Sequence, residues 1–123
     1  MKVAVYGSLR EGLGNHEVLN GAPKIAETFT GPEFKMISLG GFPGVLPGDK
    51  KVKVEVYQVD DEETKIGLDR LEGYPDFYDR KEVKLENGDK AWIYILNERY
   101  KELDKKEHIT DWKEFLTKTE RFF

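Results

Sequence analysis

The chain has 123 residues, 38% hydrophobic and 36% charged, with 20 basic and 24 acidic side chains and a net charge of −4. That length makes one domain, residues 1–123, able to bury a core, and the mixed charge speaks against broad binding to nucleic acid or an anionic membrane. The absence of cysteine excludes a disulfide framework, thiolate metal ligands and a cysteine nucleophile.

The first residues contain no signal-peptide apolar region and nothing downstream approaches a membrane span, so the reading is a cytoplasmic protein. In chain order, KVAVY at 2–6 is a buried first strand. It runs into YGSLREGLGNH, Tyr6 to His16, where Gly7, Gly12 and Gly14 open the backbone to close approach. Asn15 is an N-cap candidate for a short helix over 16–20. Residues 24–30 and 34–39 are strand-like and are split by the turn signal Gly31-Pro32. GGFPGVLPGDK at 40–50 reads as a loop with one short extended piece at Val45-Leu46.

KVKVEVYQ at 51–58 alternates, with Val52, Val54 and Val56 on one face and Lys51, Lys53 and Glu55 on the other. A helix follows over 61–71, started by Asp60 with Glu63 and stopped by Gly73 and Pro75. Tyr78–Glu86 and Lys90–Asn97 form a hairpin across Asn87-Gly88. Trp112, Phe115, Leu116, Thr119, Phe122 and Phe123 recur at helical spacing and mark an amphipathic helix over 110–121. Strands dominate and do not alternate strictly with helices. The fold class is therefore α+β, a small mixed β-barrel or curled sheet with a few peripheral helices.

The glycine loop fails the familiar phosphate motifs. Gly7 and Gly12 have P-loop spacing, but Leu13-Gly14 stand where Lys and Ser/Thr are required, and Glu17 replaces the third glycine of a dinucleotide fingerprint. His16 and His108 lie far apart without partners at ligand spacing, so no metal site is expected. Ser8 lacks the elbow of a hydrolase nucleophile. Two readings stay open: a tight turn, or a pocket that binds a small molecule through main-chain N–H groups. In LDRLEGYPDFYDR, Glu72 sits at a helix C-terminus among apolar neighbours. Dipole and desolvation would both raise its pKa and suit it to proton transfer, unless it is an ordinary exposed glutamate.

VYGSLREGLGNHEVL, GGFPGVLPG and LDRLEGYPDFYDRKEV, in this order, resemble the γ-glutamylcyclotransferase-like superfamily, nearest to its AIG2-like γ-glutamylamine cyclotransferase branch. The resemblance runs from Val3 to about Leu96 and leaves 98–123 as a C-terminal extension expected to lie on the barrel. It implies a small mixed barrel, no cofactor and no metal. It implies a small-molecule γ-glutamyl substrate held by Tyr6, Gly7, Ser8, Leu9 and Arg10, with Tyr78 lining the pocket, Arg80 structural and Glu72 as catalytic general acid/base. The implied reaction is attack of the substrate's α-amine on its own γ-carbonyl, releasing 5-oxoproline and a free amine, which the 40–50 loop or Tyr74 and Phe77 would read. A non-catalytic binding or interaction module on the same fold is the alternative. The scattered lysines Lys50, Lys51, Lys53, Lys105 and Lys106 are read as solvated rather than as a nucleic-acid surface. The expected state is a monomer or weak homodimer.

Overall fold

The computed structural model describes residues 1–120. Seven strands form: β1 (Lys2–Val5), β2 (Lys24–Phe29), β3 (Phe34–Ser38), β4 (Pro43–Pro47), β5 (Lys53–Gln58), β6 (Tyr78–Lys84) and β7 (Lys90–Leu96). Two α-helices, α1 (Glu62–Glu72) and α2 (Trp112–Glu120), join short 3₁₀ segments over His16–Leu19 and Glu98–Lys105.

Five strands make one mixed sheet in the order β2-β5-β1-β7-β6, and β3 with β4 makes a second, two-stranded sheet. β1 sits at the centre, antiparallel to β5 and parallel to β7. Such a strand is covered on both faces and needs no polar alternation. Val3, Ala4 and Val5 are accordingly all buried. The large sheet curls until its edges meet. Just past β2, Thr30 bridges Leu85 just past β6, and the Glu86 N–H reaches the Phe29 carbonyl at 2.9 Å. Curling divides the apolar residues between the two faces. Ala4, Val54, Val56, Ile93, Met36 and Trp112 fill the inside of the curl. Val3, Val5, Leu68, Tyr78, Tyr94 and Leu96 gather on the other face, beneath α1.

Several expectations shift in detail. The N-cap of α1 is Asp61 rather than Asp60: its carboxylate accepts from the Thr64 N–H at 2.9 Å and the Thr64 hydroxyl at 2.6 Å. Such a cap stabilises a helix by about 1 kcal/mol. Asp60 binds the N-terminal ammonium instead. Asn15 makes no side-chain cap. The loop expected over 40–50 contains a full strand, β4, paired residue for residue with β3 from Phe34↔Pro47 to Ser38↔Pro43. Glu55 does not face solvent with the lysines; it is completely buried. Gly73 does end α1, in the left-handed region at φ 66°. The hairpin turn lies at Asn87-Gly88, with Gly88 at φ 93°.

The charged 98–108 segment carries the second 3₁₀ turn, and α2 follows it. Trp112 is buried in the core and stacks on Phe115 at a ring separation of 5.2 Å. Phe122 and Phe123, read as part of this helix face, lie outside the described residues. Among the described residues no helix is long and apolar enough to cross a membrane.

Candidate active site

The end of α1, the turn after β1 and the start of β4 converge on a cavity of about 530 Å³. Its floor is the β1 exit, Tyr6 through Leu9; Glu72 and Gly73 close one side, Gly41 to Pro43 another, and Phe77, Tyr78 and Tyr94 the rest. Glycine is required at position 7. A Cβ there would stand 2.7 Å and 2.8 Å from the Pro43 ring, so only a bare backbone fits between the turn and β4.

The turn is closed by its own main chain. The Arg10 N–H donates to the Gly7 carbonyl at 3.0 Å and the Asn15 N–H donates to the Ser8 carbonyl at 3.0 Å. The Asn15 side-chain amide donates to Ser8 Oγ at 2.8 Å, which leaves the serine proton available to the cavity. Among the described residues, the N–H groups of Gly7, Ser8 and Leu9 meet no acceptor. Consecutive unpaired N–H groups in a turn form a concavity that attracts negative charge.

Glu72 is the last residue of α1, and Gly73 turns the chain away immediately after it. Its side chain keeps partial contact with the open cavity. No hydrogen bond or ion pair holds its carboxyl among the described residues, and burial alone pushes its pKa from 4.5 to about 7. Two phenols respond to this charge. Burial, and then the charges of Tyr78 and Glu72, raise the Tyr6 phenol; burial, and then Glu72, raise that of Tyr78. Both phenols stay protonated and anchored, Tyr6 to the Tyr94 carbonyl at 2.8 Å and Tyr78 to the Pro43 carbonyl at 2.7 Å. Tyr94 in turn donates to Asp69 of α1 at 2.8 Å. These bonds tie α1, β4 and β7 around one space.

Of the residues singled out in the sequence, Tyr6, Gly7, Ser8, Leu9, Glu72 and Tyr78 all line this cavity. Arg10 does not. Its N–H is consumed by the turn, and its guanidinium is buried on Glu55 and Asp111 at 2.8 Å each, so neither group is left for a ligand. Arg80 pairs with Asp69 and lies over the Tyr74 ring at 4.4 Å. Tyr74 does not line the cavity, whereas Phe77 and the Gly41–Pro43 segment do border it. Asn15, Arg70, Leu71 and Tyr94 also line it, with Ala4 and Val5 at the end of β1. Asn15 had a local signal, its place beside the glycines; Tyr94 had none, because β7 brings it from far along the chain. His16 Nδ1 lies 2.9 Å from the Leu9 carbonyl and His108 Nδ1 accepts from the Met36 N–H, so both rings serve the main chain. Among the described residues no group of three or more His, Asp or Glu is placed to hold a metal ion.

Comparison with known proteins gives the family. Residues 3–114 match the family model described as "Gamma-glutamyl cyclotransferase, AIG2-like", which extends past Leu96 into the C-terminal helix. The chain is 35% identical over 95 residues to the gamma-glutamylcyclotransferase family protein YtfP of Escherichia coli K12, covering 77% of this chain and 81% of that protein. It is 31% identical over 121 residues to the gamma-L-glutamyl-butirosin B gamma-glutamyl cyclotransferase of Niallia circulans, covering 90% and 74%. The crystal structure of an AIG2-like protein from Mus musculus superimposes with a TM-score of 0.78 at 26% identity, covering 90% of this chain and 86% of that one. The chain belongs to the AIG2-like γ-glutamyl cyclotransferase family and is an enzyme of the γ-glutamylcyclotransferase type.

Proposed function

We propose that the chain cyclises the γ-glutamyl group of a γ-glutamyl amine or amide, releasing 5-oxoproline and the free amine, with Glu72 as general acid/base. The observation that carries this reading is a carboxyl group without a partner, raised to about pKa 7, facing a turn of unpaired N–H groups across one cavity. A group poised near neutrality can both take and return a proton at working pH.

The chemistry needs little else. The ionised Glu72 takes a proton from the substrate's α-ammonium. The freed amine attacks the γ-carbonyl of the same molecule and closes a five-membered lactam. The tetrahedral oxyanion collapses as Glu72 returns the proton to the departing nitrogen, and the ring nitrogen's second proton passes through the re-ionised Glu72 to the released amine, which leaves as an ammonium. The nucleophile is tethered, so selecting the folded conformer supplies much of the acceleration; well-oriented intramolecular attack is worth about 7–11 kcal/mol. The Gly7, Ser8 and Leu9 N–H groups suit the negative charge of such a substrate, whether on its α-carboxylate or on the oxyanion. Tyr6 and Tyr78, held protonated on main-chain carbonyls, shape the wall without competing for the proton. The butirosin cyclotransferase, by its name, acts on the γ-glutamyl group of γ-L-glutamyl-butirosin B, which supports a γ-glutamyl group as the target here.

The test is 5-oxoproline release from a panel of γ-glutamyl amines and dipeptides, followed by mass spectrometry. Turnover of at least one member, with release of its free amine in equal amount, is expected. Tight binding of γ-glutamyl compounds without release would instead favour a binding module.

A further inference from the structure

The loop that borders the cavity is anchored from the far end of the chain. Arg10 follows Leu9 directly and is almost fully buried. Its Nε meets Glu55 Oε2 at 2.8 Å and its Nη1 meets Asp111 Oδ1 at 2.8 Å. Glu55 lies on β5 with no solvent exposure. Its other oxygen accepts from the Glu11 N–H at 2.8 Å and from the Tyr57 hydroxyl at 2.8 Å, and Lys113 of α2 approaches Oε2 at 3.1 Å. One carboxylate thus grips the side chain of residue 10 and the main chain of residue 11. Asp111 is equally committed: its Oδ1 also accepts from the Lys113 N–H at 3.0 Å and the Glu114 N–H at 3.3 Å, at the start of α2.

We propose that Arg10 is a positioning residue for the reaction and that Asp111, with the N-terminus of α2, is part of the catalytic apparatus through it. This rests on the proposed role of the Gly7–Leu9 turn as the substrate cradle. The turn is closed on one side by the Arg10 N–H, so wherever Arg10 is held the Gly7 carbonyl is held as well. The clamp reaches from Trp112, buried in the core, through Asp111 and Arg10, to the Gly7–Leu9 turn that lines the cavity. A planar guanidinium spans two carboxylates in fixed geometry, which a flexible ammonium does not reproduce. The ion pairs persist throughout the working range of pH. Glu55 stays ionised down to a pKa of about 2, held there by the Glu11 N–H, Arg10, Tyr57 and Lys113 against the opposing effect of burial. Contacts from Arg10 and the α2 N–H groups outweigh burial and keep the Asp111 carboxyl below its ordinary range.

The experiment compares Arg10→Lys and Asp111→Asn with the parent and with Lys118→Ala, which removes only an exposed pair on α2. Two readouts are taken well below each variant's unfolding temperature: amide hydrogen exchange at Arg10, Glu11 and Asn15, whose N–H groups are hydrogen-bonded in and beside the turn, and kcat and KM for 5-oxoproline release. In both clamp variants the turn amides exchange faster while those of β1 and β7 do not. kcat/KM falls on the order of tenfold or more, as a displaced binding group implies. Lys118→Ala behaves as the parent. Turn amides that exchange as in the parent, or variants with a lowered Tm but unchanged kcat/KM, would overturn the proposal and leave Arg10 a purely structural ion pair. If the parent itself releases no 5-oxoproline, the functional reading fails, and the exchange data alone still decide whether Asp111 and Arg10 hold the turn.

Discussion

Replacing Glu72 with glutamine should make the protein more stable above neutral pH, and the size of the gain follows from the site. The carboxyl titrates near 7 in the fold and near 4.5 otherwise. Below pH 4.5 both states are protonated and the group contributes nothing. Between 4.5 and 7 the folded chain keeps a proton that the unfolded chain has lost, so stability falls as pH rises. Above about pH 8 the full cost of an ionised, desolvated carboxylate applies. At about 1.4 kcal/mol per pH unit, the interval corresponds to about 3 kcal/mol. Because the side chain still meets the open cavity, screening by water makes this an upper bound. The neutral amide of Glu72→Gln escapes the penalty. The lowered carboxylates Glu55, Asp60, Asp61, Asp89 and Asp111 are common to both proteins and cancel in the difference. Urea unfolding at intervals from pH 4.5 to 8.5 is the assay. The two stability curves should coincide at the acid end and separate through neutrality, with the variant higher by up to about 3 kcal/mol. Parallel curves, or a less stable variant at pH 8, would refute the claim that Glu72 is held uncompensated in a desolvated site.

Other consequences concern the walls. Gly7→Ala drives a Cβ into the rigid Pro43 ring, so the turn or β4 must move; chemical unfolding should show a loss of about 1–3 kcal/mol, and KM should rise. Tyr78→Phe leaves the buried Pro43 carbonyl without its donor, and urea unfolding should show a loss of about 1–3 kcal/mol. Trp112→Ala removes the anchor of α2 from the core; thermal and urea unfolding should report about 3–5 kcal/mol.

What the sequence disclosed depended on whether the cause was local. The Asn87-Gly88 turn, the Gly73 cap and the valine alternation of β5 are written in adjacent residues, and each appears where its chemistry places it. β4 escaped because its glycines and prolines suggest a loop. Its prolines sit at the two ends of the strand, and the two-stranded sheet tolerates their missing N–H groups there. Alternation alone puts Glu55 on the wet face with Lys51 and Lys53. Its real partner, Arg10, comes from a turn 45 residues earlier, and nothing in either neighbourhood announces the pairing. The resemblance places Arg10 in the substrate loop through its main-chain N–H, but that N–H is spent on the Gly7 carbonyl and the side chain is buried on Glu55 and Asp111. The cap of α1 moved by one residue because two consecutive aspartates compete and only Asp61 faces the Thr64 N–H. At the cavity, Glu72, the turn and the 40–50 loop are legible from their motifs, while Tyr94 depends on a strand that reaches the site only after the sheet has curled.

The most direct measurement is the rate of 5-oxoproline release by the unmodified protein and by Glu72→Gln, on the best γ-glutamyl substrate, with both proteins verified as folded. The account predicts that the parent turns over and that the variant loses about 10²–10⁴-fold in kcat, the usual worth of a positioned acid/base group. A folded Glu72→Gln that releases 5-oxoproline at the parent's rate would contradict it.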